Sequence, residues 1–135
     1  MSHLDFDPLP LVQQAIVALA LPSSEQVRVT QPGCVTCELL EEFRHAFQCY
    51  QLLDYDAQDP ALIASLSELE EFLEQIDVEN FECGNEKVLD GTQWSSIRLF
   101  ARQLLTQFGW NSVIVEPYRE TQPRVWNRPL PGTLD

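Results

Sequence analysis

Apolar and polar positions follow a helical period over most of this chain. The clearest segment lies between residues 59 and 76. Leu62, Leu66, Leu69, Leu73 and Ile76 recur at alternating steps of four and three, Ile63 and Phe72 widen the stripe, and Glu68, Glu70, Glu71 and Glu74 fall on the solvent side. Asp59 is a good N-cap, and Pro60 suits the first helical position, where its missing N–H costs no hydrogen bond. A second periodic segment runs from about Thr36 to Leu53, with Leu39, Leu40, Phe43, Ala46, Phe47 and Tyr50 on one face and Glu38, Glu41, Glu42 and His45 on the other. A third begins near Thr92 or Gln93 and ends at Gly109, a residue suited to a helix C-terminus; Trp94, Ile97, Ala101, Leu104, Leu105 and Phe108 form its inner face. Arg98 and Arg102 lie one turn apart on another face of that helix, placed to pair with acids of a neighbouring helix for about 0.5 kcal/mol or less each. Nearer the N-terminus, a helix starts between Asp7 and Pro10 and stops at Pro22, with Leu11, Ala15, Ile16, Leu19 and Ala20 as its stripe.

Two short segments read differently. Val27, Arg28, Val29 and Thr30 alternate as a strand would, and Pro32-Gly33 breaks the run. Val113, Ile114 and Val115 form a second strand candidate, closed by Pro117, and its expected partner is the first. The last segment, from Arg119 to Asp135, holds Pro123, Pro129, Pro131 and Gly132 and reads as an extended tail. The fold class that follows is mainly α: a bundle of about four helices, a minor two-stranded β element and an extended C-terminal tail. The expected division is an acidic helical domain over residues 1–118 and a Pro-rich tail over 119–135.

Length and composition support one core. At 135 residues a folded chain buries roughly two thirds of its unfolded surface, and an apolar content of 44% fills that core without disulfides or metal. Charge changes the picture more. Eight basic residues against 21 acidic ones leave a net charge of -13. Such a surface repels nucleic acid and anionic lipid and attracts basic proteins. The apolar run Leu9 to Leu21 follows Asp5 and Asp7 with no Lys or Arg, which argues against a signal peptide, and no run is long enough to span a membrane. A cytoplasmic location with reduced thiols is therefore expected.

Four cysteines remain to be assigned: Cys34, Cys37, Cys49 and Cys83. Cys34-Val35-Thr36-Cys37 at a helix start is a pattern that redox sites use, because the helix dipole lowers the thiol pKa. Residues 38–110 read as three helices, however, so the sheet a thioredoxin-like fold needs is missing. A zinc set of Cys34, Cys37, His45 and Cys49 fails on distance. Cys37 and His45 on one helix lie ~12 Å apart along its axis, whereas zinc ligands at ~2.0–2.3 Å from the metal sit within ~4 Å of one another. His45 and Cys49 form one site only if Cys34, Cys37 or Cys83 arrives from elsewhere. The simpler reading makes Cys49 a half-buried small residue and His45 a surface histidine, with no metal and no cofactor.

Two features point to partners. Between Asp54 and Asp90 stand twelve acids and a single base, Lys87. Glu68, Glu70, Glu71, Glu74, Asp77, Glu79 and Glu82 make the candidate docking face for a basic protein, the alternative being an ordinary hydrated helix face. In the tail, Arg124, Trp126 and Arg128 combine the two residue types most enriched in binding hot spots; the segment either lies on its own acidic body or docks on a partner. With two histidines, scattered glycines and no basic patch, no catalytic constellation or nucleic-acid surface is legible. The expected function is a non-enzymatic acidic protein that binds a basic protein as an inhibitor, immunity-type or regulatory factor. The alternatives are an adaptor or assembly factor acting through the tail, and a thiol-redox or zinc protein using Cys34 and Cys37. The wide apolar stripe on a short helix leaves room for a homodimer.

Overall fold

The computed structural model describes residues 7–133, and the chain is mainly helical with a minor β element. Its helices are α1 (Leu9–Ala20), α2 (Ser23–Thr30), α3 (Val35–Gln51), α4 (Pro60–Glu74) and α5 (Thr92–Phe108). Short 3-10 turns at Tyr55–Ala57, Val78–Phe81 and Glu86–Asp90 join them. The predicted end signals operate locally. Asp59 caps α4 by accepting the Ala61 N–H at 2.9 Å, and the Tyr50 hydroxyl accepts the N–H of Asp59 at 2.8 Å. Gly109 ends α5 in the left-handed region at φ 72, and the next N–H, from Trp110, returns to the Leu105 carbonyl at 2.8 Å.

α1 is the central element. Val12 and every residue from Gln14 to Ala20 are buried, packed between α3 and α5. A buried helix end poses a problem, because its last carbonyls have no partner within the helix. Here two side chains supply the donors. Gln26 Nε2 donates to the carbonyls of Ala18 and Leu19 at 3.2 and 3.1 Å, and Arg102 Nε donates to that of Ala20 at 2.9 Å. Arg98 completes the network, donating to Gln26 Oε1 at 3.0 Å and to the Leu89 carbonyl at 2.6 Å. The expectation of weak surface ion pairs for Arg98 and Arg102 is thus overturned. Arg98 is buried, and both arginines serve backbone or amide acceptors near a helix C-terminus, the end that favours positive charge.

The strand expected at Val27 to Thr30 is the second half of α2. Its burial does not alternate: Gln26, Val29 and Thr30 all face the core. Thr30 Oγ1 also donates to the Gln26 carbonyl one turn back, at 2.6 Å. Packing on α1 and α3 decides the matter against β-propensity, which is weak for so short a run. Val113–Ile114 (β1) is a strand, but its antiparallel partner is Gly132–Thr133 (β4), not the segment at residue 27. Between them, Arg119–Gln122 (β2) and Val125–Asn127 (β3) form a hairpin with a register shift between Glu120 and Gln122. Arg124 occupies its turn at φ 66, a conformation that favours glycine. The C-terminal segment is therefore extended but folded back on the body.

Candidate functional site

The tail is held by one buried ion pair. Arg128 Nε lies 2.8 Å from Glu42 Oε2, Arg128 NH2 lies 3.3 Å from Oε1, and the two side chains are 2% and 10% exposed. Arg128 NH1 also donates to the Glu116 carbonyl at 2.7 Å, and its guanidinium lies 4.4 Å from the centre of the Tyr118 ring. Gln14 Nε2 donates to Glu42 Oε2 at 3.0 Å, while Gln14 Oε1 is buried without a partner. Burial pushes the Glu42 carboxyl above its ordinary range, against the pull of Arg128 and Gln14. Glu42 had been placed on the solvent side of its helix; the returning tail covers it. Arg128 accordingly turns inward. Arg124 and Trp126 stay outside, Trp126 at 42% exposure, and with Tyr118, Glu38 and the Pro32-Gly33 turn they line a cleft of about 260 Å³.

The predicted acidic face is present as a surface. Glu68, Glu71, Glu74, Asp77, Glu79 and Glu82 are exposed and Glu70 is half-buried. None of the seven is in an ion pair among the described residues. They follow one another along α4 and the segment that leads to Cys83.

That segment is fixed by a second set of contacts. Trp94, wholly buried in α5, donates its indole N–H to the Asn80 carbonyl at 2.9 Å and meets the Phe81 ring edge-on at 5.8 Å. Thr36 Oγ1, in the first turn of α3, donates to the Glu82 carbonyl at 3.2 Å. The Cys37 thiol donates to the Phe81 carbonyl at 3.0 Å. These tethers carry Cys83 to the start of α3, where Cys34 is the N-cap residue and Cys37 lies one turn on. The Cys34 and Cys37 sulfurs are 3.2 Å apart, those of Cys37 and Cys83 2.9 Å, and all three lie within 4.8 Å of one another. Cys34 and Cys37 are half-buried and Cys83 is exposed.

The three thiols differ in acidity. Burial raises the Cys34 pKa, but hydrogen bonds from Cys83, Cys37 and Thr36 outweigh it and bring the value down to about 7. Cys37 is pushed up to about 12, first by its hydrogen bond with Cys83 and then by burial. Cys83 is raised too, chiefly by its hydrogen bond to Cys34. The sequence offered the Cys34–Cys37 pair but no signal that Cys83 would join it, since the third sulfur arrives across 46 residues through contacts of Trp94 and Thr36. Cys49 stands apart: it is buried, its sulfur lies 3.6 Å from Nε2 of His45, and His45 is exposed.

No protein-family model matches the chain, and neither a curated protein nor a solved structure matches it. Among the described residues no helix is long and apolar enough to cross a membrane.

Proposed function

We propose that this chain is a non-enzymatic binding protein that docks a basic protein partner on the acidic face of α4 and the segment after it. The supporting observation is the row of exposed carboxylates at Glu68, Glu71, Glu74, Asp77, Glu79 and Glu82, with no cation paired to any of them among the described residues. Charges left uncompensated along one low-dielectric surface add up to a field that speeds encounter with an oppositely charged patch and disfavours like-charged ones. This chemistry suits an inhibitory or immunity-type factor that covers a basic site.

A second reading has its own observation. Val125, Trp126 and, just after the hairpin, Leu130 are 43%, 42% and 65% exposed, so the C-terminal segment presents apolar side chains near Arg124. A partner gripping these side chains would make the protein an adaptor.

One experiment separates the two. Partners are captured from native lysate, identified by mass spectrometry, purified and titrated at low and high salt against three forms of the chain. These are the unaltered protein, a Glu70→Lys/Glu71→Lys/Glu74→Lys variant and a Trp126→Ala variant. Docking on the acidic face predicts an affinity that falls steeply with salt, is abolished by charge reversal and survives Trp126→Ala. Binding unchanged by charge reversal refutes it, and binding lost only with Trp126→Ala transfers the function to the hairpin.

A further inference from the structure

We propose that Cys34, Cys37 and Cys83 form a binding site for one zinc ion, with three thiolate ligands and a water in the fourth position. The inference is independent of any docking partner and rests on the convergence of three sulfurs from two distant parts of the chain.

Tetrahedral zinc holds each sulfur at ~2.3 Å, which sets ~3.8 Å between sulfurs. The present separations of 2.9 and 3.2 Å are shorter than that by less than an ångström, and the third lies within 4.8 Å. Bringing the set to it needs shifts of about an ångström or less. Cys83 has the room, because it is exposed and its neighbour Gly84 is open on the Cβ side. The half-buried pair is built on a rigid element: the N-cap and third residue of α3, whose side chains stand one above the other on the helix. No side chain caps α3, so the positive end of its dipole faces the thiolates. Thiolates are soft donors that select zinc over magnesium or calcium. Binding releases the thiol protons to solvent and leaves a site of net charge -1.

A redox pair explains less of this arrangement. A dithiol needs two sulfurs, and Cys34 and Cys37 already supply them. The geometry adds a third, and the Trp94–Asn80 and Thr36–Glu82 hydrogen bonds, which survive loss of the thiol protons, hold its segment in place. Three protein ligands and a water complete the tetrahedral set of a zinc site with one open position. Exposure on the Cys83 side leaves the fourth position to solvent. The same ion would tie the connection between α4 and α5 to the start of α3.

The test uses the full chain under a phosphine reductant, with cobalt(II) as the spectroscopic probe and zinc(II) as its competitor. Unaltered protein should bind one cobalt ion per chain with thiolate-to-metal charge-transfer absorption, and zinc should displace it. Cys83→Ser should weaken zinc binding at least ~100-fold. This change sits on an exposed residue and should leave the metal-free fold intact, as circular dichroism would verify. Cys49→Ser, away from the cluster, should bind as the unaltered protein does. Zinc should also slow proteolysis of the connection between residues 75 and 91 in the unaltered chain but not in Cys83→Ser. Absence of the charge-transfer bands overturns the proposal, as does equal affinity in Cys83→Ser or equal loss in Cys49→Ser. So does a Cys34–Cys37 disulfide that persists under the reductant and blocks cobalt.

Discussion

Arg128→Ala tests how the C-terminal segment is held. The substitution removes two hydrogen bonds to Glu42, one to the Glu116 carbonyl and the guanidinium over Tyr118. What remains is a carboxylate at 10% exposure with Gln14 Nε2 as its one hydrogen-bond donor. Leaving a buried charge without its partner costs about 3–5 kcal/mol, a large share of the about 5–15 kcal/mol that holds a domain together. While Glu42 stays ionised, the chain lowers that cost by releasing the hairpin and letting water reach the carboxylate. The expected loss is the smaller of the two penalties, and the hairpin should then be open to protease at Arg119 and Arg124. Equilibrium urea unfolding followed by tryptophan fluorescence gives the first quantity and limited trypsin digestion the second.

The pH dependence has a definite sign. Burial already raises the Glu42 carboxyl above its ordinary 4.5, and losing the opposing charge of Arg128 raises it further. A carboxyl whose folded pKa exceeds its unfolded one binds its proton more tightly in the folded state. Its penalty is therefore absent below about the unfolded value and grows as pH rises through the folded one. The deficit of Arg128→Ala should be small near pH 4 and full at pH 8. Adding Glu42→Gln should recover most of it at pH 8, because the buried charge is gone. A deficit under about 1 kcal/mol at pH 8, or one that does not change with pH, would refute the reasoning.

Three further substitutions probe the frame. Gln26→Leu strands the Ala18 and Leu19 carbonyls and one Arg98 N–H, so a loss of about 2–4 kcal/mol is expected in urea unfolding, with Gln26→Glu recovering little because it cannot donate. Asp59→Ala removes the α4 cap and should cost about 1 kcal/mol, while Asp59→Asn should cost less. Arg124→Gly relieves a left-handed backbone in the hairpin turn and should stabilise it by up to about 1 kcal/mol, read as slower amide exchange in β2 and β3.

Much of the helical frame was legible from the chain alone, because its signals are local. A stripe at 3.6-residue spacing, Asp59-Pro60 at a start and Gly109 at an end each act within a turn or two of where they are read. The acidic surface of α4 was legible for a related reason: Glu68, Glu71 and Glu74 lie opposite its apolar stripe, and all three are exposed. The rest depended on contacts between distant residues. Three of the four residues at Val27 to Thr30 are β-branched, but the pattern is too short to resist packing on α1. Arg98 and Arg102 looked like surface charges until the buried end of α1 drew in two donors: Arg102 to Ala20, and Gln26, which Arg98 in turn holds, to Ala18 and Leu19. Glu42 took the solvent side of its helix until Arg128, 86 residues on, covered it. Cys83 is an unremarkable loop residue in sequence, and only the anchoring of its segment on Trp94 and Thr36 places it beside Cys34 and Cys37. Periodicity fixes which side of an element is apolar, but which polar groups meet in the interior follows from how the elements stack, and that is settled by the folded chain as a whole.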